Sequence, residues 1–455
     1  MRRLLAALAV IAALCGAAAA QERLTVTLLG DTGLNMTRAP VSPEGGYKFD
    51  RLISAGEAMA HVRPLLSGDI VFANLETAVT DRNDLVPRDK PFVFRTHPEA
   101  ARAFVKAGVN AVSLANNHTL DYGLKGGGET LRHLSAMTAD GLLAWPGLGR
   151  TREEAMAPHV FARGAARVAF SAIGIGGKGY ALPAPEGSAG MAILDSDFGE
   201  TVRRLNDTPA DIRLLSVHYG RELASFPEAE EVLRLRDEAK AADGLTIVAG
   251  HHAHVAKGAA LSGRHLVAYG LGNFLHLGMR NMAGLGICRD FGLALRVTLA
   301  RDGEGPFEID TVEAFVLADM QVQPRMMTGA EAALRIDVVS YLGAALDDAR
   351  SGARGLRFAP RADGSGLWRR AGSADARCAG WSEPTIAGTR GADIARACGR
   401  TLIADTGEDP RGWARPVTFA DMLATHDAAR RELPPGLGRT VNMLKIDAEA
   451  HHARD

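Results

Sequence analysis

An α/β fold with a substantially parallel core is what this sequence predicts, on three observations. Apolar runs of strand length recur along the chain, helical patterns stand between them, and each run ends in a cluster of polar residues. The first run, Leu24 to Gly30, ends at Asp31. Residues 69–76 carry Ile70-Val71-Phe72-Ala73 into Asn74-Leu75-Glu76, and residues 109–118 end in Asn116-Asn117-His118. Residues 212–218 end in His218, and residues 245–254 run into His251-His252-Ala253-His254. Continuous rather than alternating apolarity marks strands buried on both faces. Helical patterns fall at 98–107, where Pro98 suits a first helical turn, and at 228–242. Residues 262–275 and 291–299 read as a later antiparallel part.

With 455 residues the chain exceeds one ordinary core, which argues for a main domain over 21–325 and an accessory region over 326–455. In that tail the stretch 350–415 is rich in Arg, Gly, Ala and Asp and shows little periodicity. A net charge of -1 with 23% charged residues gives no global field toward nucleic acid.

Residues 1–20 read as a secretory signal peptide: Arg2-Arg3, an apolar run from Leu4 to Leu14, and Ala18-Ala19-Ala20 before Gln21. That apolar run is short for a membrane anchor, and Leu14 before Cys15 is a poor lipoprotein site. No later segment is long and apolar enough to span. The expectation is an exported chain, periplasmic or held at the cell envelope, with no transmembrane span once mature. In an oxidising compartment Cys378 and Cys398, close in sequence, could pair and leave Cys288 over; three free thiols is the alternative.

Polar clusters at the C-terminal ends of buried strands are where open α/β sheets bind ligands, and one site assembled from strand ends explains them together. Three histidines in four residues after Ile247-Val248-Ala249 suit a metal better than an exposed turn, because neutral imidazole ligates Zn, Mn or Fe. The Asn117 amide oxygen can ligate a hard cation, His118 can serve as a general acid, and Asp121 could orient that imidazole if a helix starts at His118. Read locally, the same residues make an ordinary helix cap. Asp31 can be a ligand or a turn residue. Glu76 and His218 are strand-end polar groups, either satisfied locally or compensated by a cation. Carboxylate, amide and imidazole together differ from the thiolate set of structural zinc. A nucleophile elbow of the G-x-S-x-G kind and a phosphate loop are both absent.

Six ordered segments carry a resemblance. They are Leu-Gly-Asp31; Asn74-Leu75-Glu76; Asn116-Asn117-His118 with Asp121; His218-Tyr219-Gly220 with Glu222; Gly250-His251-His252-Ala253-His254; and Tyr269-Gly270-Leu271-Gly272-Asn273-Phe274. From about residue 24 to 322 the chain resembles the poly-gamma-glutamate capsule biosynthesis protein CapA family, itself similar in fold to calcineurin-like metallophosphatases. The resemblance implies a two-sheet β-sandwich flanked by helices, layered α/β/β/α. It implies one or two divalent ions (Mn, Zn or Fe) on Asp31, Glu76, Asn117, His218, His252 and His254, with His118 and Asp121 catalytic. Arg95, Asn74 and Asn273 are expected to face the substrate. The implied chemistry is hydrolysis of a phosphoester or of an anionic polymer such as poly-gamma-glutamate, alongside capsule or envelope machinery; the alternative is a metal-containing protein that binds such a polymer without cleaving it. Gly33 stands where the metallophosphatase pattern carries His, Asn74-Leu75-Glu76 stands in place of its second Gly-Asp, and Ala253 stands where the CapA family carries Pro.

Overall fold

The computed structural model describes residues 21–34, 54–176 and 190–399, apart from positions 83, 91, 242, 278, 386 and 387. The leader read at residues 1–20 and the last part of the tail, 400–455, lie outside the described residues.

Along the chain the main elements are β1 (Glu22–Gly33), β2 (Ile70–Leu75), α1 (Pro98–Lys106), β3 (Ala111–Ser113), α2 (Gly123–Ala136), β4 (Ala166–Gly174), α3 (Leu194–Asp207), β5 (Ile212–His218), β6 (Leu245–His251), β7 (Ala256–Ser262), β8 (His265–Leu271), β9 (Asn273–His276), β10 (Gly292–Arg301), β11 (Glu308–Ala318) and α4 (Gly329–Ala344). Strands β1, β2 and β3 pair in parallel, with β9 parallel to the end of β1 and β10 and β11 antiparallel beyond it. In the second sheet β4, β5, β6 and β8 run parallel, with β7 antiparallel at one side. The segment expected to be antiparallel is therefore mixed. Strand β8 follows β6 in parallel and β9 joins β1 in parallel, while β10 is antiparallel as read.

Alternation along β1 explains the layering. Leu24, Val26 and Leu28 face the second sheet and share a core with Phe72, Phe170, Leu214 and Ile247. Leu29 faces the other way and packs with Val71, Ala73 and Val112 under Phe104 of α1 and Leu134 of α2. On the far side Phe198, Val202 and Leu205 of α3 cover Ala169, Leu215 and Val248. The result is the α/β/β/α sandwich that the resemblance implies. Helix α1 starts as Pro98 predicts, with the His97 ring accepting from the Glu99 N–H at 3.2 Å.

Two local expectations give way. The 228–242 pattern forms a short α-helix (Ala229–Leu233) that widens into a π-type turn (Arg234–Glu238), so its apolar face is shorter than the periodicity suggests. Cys398 pairs with Cys288, 110 residues away, and Cys378 is a buried free thiol. Tertiary packing decides this: Cys288 and Cys398 lie in the same apolar core, 5.4 Å apart at Cα, while Cys378 sits elsewhere beside Ser373. Beyond residue 325, Ile336, Val339 and Leu342 of α4 join the core between the sheets, and Gly366–Arg369 pairs with β11. No helix among the described residues is long and apolar enough to cross a membrane.

Candidate metal centre

The C-terminal ends of the parallel strands of both sheets meet at one place. Strand register puts Asp31, Asn74 and Ser113 in a row across β1, β2 and β3. A register shift at Gly30 makes this possible, because a Cβ there would lie 2.0 Å from the Gly272 carbonyl oxygen. Only glycine lets β1 approach the turn before β9 so closely. In the second sheet His218 stands level with His251 across β5 and β6. The next residues turn sharply: His252 has φ 82° and His254 φ 56°, left-handed conformations that non-glycine residues seldom hold away from functional sites.

This geometry gathers all six expected ligands. His218 Nε2 lies 2.7 Å from Asn117 Oδ1, 3.1 Å from His252 Nδ1 and 3.4 Å from Glu76 Oε1. Asp31 Oδ2 lies 3.2 Å from His254 Nδ1 and accepts the His252 backbone N–H at 3.1 Å. Two triads can each hold an ion, Glu76–His218–His252 and Asp31–Glu76–His254, and they share Glu76. The fit to a cation rests on one atom above all. Glu76 Oε1 is buried and has no hydrogen-bond partner among the described residues, although imidazole nitrogens surround it. A buried carboxylate oxygen left this way is costly unless a cation or proton satisfies it.

Electrostatics agree. Burial, reinforced by Asp31, pushes Glu76 well above the carboxylate range. Burial would also raise Asp31, but the His251 and His254 imidazoles, each with Nδ1 3.2 Å from a carboxylate oxygen, outweigh it and hold that carboxyl well below its ordinary value. Burial would lower His254, yet Glu76 and Asp31 outweigh it and raise the imidazole to about 10. Burial takes His252 down to about 4 and His218 well below its usual range. A proton on His254 thus offsets part of the negative charge that a divalent ion would offset more fully.

Beside the expected ligands stands the expected acid pair. His118 Nδ1 lies 2.7 Å from Asp121 Oδ2, although the helix expected at His118 begins only at Gly123 and a turn brings the two together. Asp121 is fully buried and accepts from Lys90 Nζ at 2.6 Å and from the Phe94 N–H at 2.5 Å. Burial raises Asp121 to about 6 against the opposing Lys90 charge. Phe94 lies over the His118 ring at 4.0 Å, fixing its plane.

The three residues expected at the substrate behave differently. Asn74 is buried beneath the ligands; its Nδ2 donates to Asp31 Oδ1 at 2.9 Å and lies 3.2 Å from His218 Nδ1, and its Oδ1 accepts from Ser113 Oγ. Asn273 Oδ1 lies 2.8 Å from His254 Nδ1. Both amides contact expected ligands and so fix their orientation. Arg95 is fully buried, with Nη1 donating to the Arg82 carbonyl, so it is no solvent-facing handle for an anion here. Sequence reading missed Lys90, Ser113 and His276, whose Nε2 lies 3.3 Å from Glu76 Oε2, and gave Asn116, which donates to the Leu75 carbonyl, a place in a motif but no role. Only His276 left a signal, as a histidine ending an apolar strand three residues after Asn273.

Comparison with known proteins bears on the family. The family described as "Bacterial capsule synthesis protein PGA_cap" matches residues 25–277. The "PGA biosynthesis protein CapA" of Bacillus subtilis is 25% identical over 260 residues, 57% of this chain and 65% of that protein. The "Capsule biosynthesis protein CapA" of Bacillus anthracis is 25% identical over 263 residues, covering 56% of this chain and 60% of that protein, so the match spans less than two thirds of either relative. A crystal structure of a phosphatase from Mycoplasma pneumoniae aligns at 15% identity and a TM-score of 0.38, over 65% of this chain and 94% of that one.

Proposed function

Since the chain belongs to the bacterial capsule synthesis protein family PGA_cap, we propose that it is an exported, metal-dependent hydrolase acting on a phosphoester or on an anionic polymer such as poly-gamma-glutamate in capsule or envelope biogenesis. The observation that carries the reading is the buried Lys90–Asp121–His118 relay beside the ligand set. A purely structural ion needs no such acid. Asp31, Glu76, Asn117, His218, His252 and His254 would hold Mn, Zn or Fe, which when bound supplies Lewis acidity toward a phosphoryl or acyl oxygen and toward water. Asp121 accepts from His118 Nδ1, which fixes the tautomer and leaves Nε2 to give a proton to the leaving group. The Cys288–Cys398 bridge supports export, because disulfides persist in oxidising compartments. The polymer is suggested by the relatives' names.

Those names also favour a second reading, since both describe biosynthesis and neither describes cleavage. In that reading the same site binds or anchors a capsular polymer. The test is to strip the chain from Gln21 of metal, reload it with Mn, Zn or Fe, and assay bis-p-nitrophenyl phosphate and γ-polyglutamate. Metal-dependent turnover of either, lost in His118→Ala and in His252→Ala with metal lost only from the latter, is the expected outcome. Bound metal and bound polymer without turnover would replace the hydrolase with the second reading.

A further inference from the structure

Position 276 carries an imidazole that the proposed chemistry leaves without a role. Strand β9 pairs in parallel with the end of β1, and His276 is the register partner of Gly33. Paired residues present their side chains on one face, so His276 fills a row where β1 offers none. The ring is fully buried, meets Phe94 edge-on at 5.1 Å, and lies 5.7 Å from the His254 ring. Its Nε2 is 3.3 Å from Glu76 Oε2, whereas the other oxygen, Oε1, points at His218 Nε2 (3.4 Å) and His254 Nε2 (4.0 Å).

From this division of the two oxygens we infer that His276 is a positioning residue for the metal centre. Its Nε2–H holds Oε2 of Glu76, so that Oε1 alone is presented to both ligand triads. The inference rests on the metal-site reading above and adds a specific device to it. A carboxylate shared between two triads must not rotate, and a hydrogen bond to its outer oxygen prevents rotation. Partners of this kind typically contribute about 10–100-fold in metal affinity. Asn273, on the same strand, treats His254 in the same way, so one four-residue strand orients two ligands.

The test compares Mn affinity by calorimetry, and Mn content by mass spectrometry, in the full chain and three variants. His276→Phe keeps the volume and removes the donor, His276→Ala removes both, and His276→Gln restores a donor. Apo-protein melting is followed in parallel. The expected result is about 10–100-fold weaker Mn binding in the Phe and Ala variants, recovery to within a few-fold in the Gln variant, and apo melting for Gln and Phe close to the parent. Parent-like affinity in all three variants overturns the inference and leaves the metal site standing, as does a Gln variant as weak as Phe. Failure of the parent chain itself to bind Mn, Zn or Fe overturns both.

Discussion

Asp31 shows how a strand-end carboxylate becomes a fixed point: the Asn74 amide and the His252 backbone N–H both donate to it, and His254 stands at 3.2 Å. At this scale the ionisation directions become measurable. His254 is raised to about 10, so it holds its proton over most of the accessible range and an ion must displace it. Metal uptake should therefore release protons and tighten as pH rises toward 10. Affinity that does not change with pH, measured by titration in buffers of different ionisation heat, would contradict this. Asp121 is raised to about 6, so it is ionised above that pH and protonated below it. Protonation ends its hold on Lys90 and on the His118 Nδ1–H. Activity should fall below about pH 6, and Asp121→Asn should flatten that limb while lowering kcat; an unchanged limb assigns it to another group. Lys90 and Asp121 form a buried pair, 5% and 0% exposed at the side chain. Lys90→Met should cost about 3–5 kcal/mol in urea unfolding, because it strands the carboxylate.

Among the elements, strands carry the site and the core together. Phe72 of β2 meets Phe170 across the sandwich at 5.3 Å and the His251 ring at 5.5 Å. Phe72→Ala should lower stability by about 3–5 kcal/mol and loosen the histidine turn, read as weaker metal binding; full metal affinity at reduced stability would uncouple core from site. The strands were legible because parallel strands buried on both faces leave continuous apolar runs, and their polar ends announce the site. Other features needed the fold. Asn74 looks like any strand-end amide until the register of β1, β2 and β3 sets it under Asp31 and beside His218. The 228–242 helix misled because periodicity does not mark where an α-helix widens into a π-type turn. Lys90 sits in a loop with no pattern at all, and its role exists only because the turn at Asp121 returns beneath it.

For the molecule as a whole, residues distant in sequence close the structure. The Cys288–Cys398 bridge spans 110 residues, a separation that leaves no local signal, which is why proximity in sequence pointed to Cys378 instead. Cys288→Ser should cost about 2–5 kcal/mol by the chain-entropy account of cross-links, and Cys378→Ser much less; equal effects would show that the bridge does not form. The central claim is that both sheets converge to build a divalent metal centre on Asp31, Glu76, Asn117, His218, His252 and His254. The most direct measurement is metal per chain, by mass spectrometry, after the chelated protein is reloaded with Mn, Zn or Fe and dialysed. One or two equivalents retained by the parent chain, and loss of metal in His252→Ala with its fold intact, is the predicted result. No stoichiometric metal in the parent under any of these loadings would contradict the account.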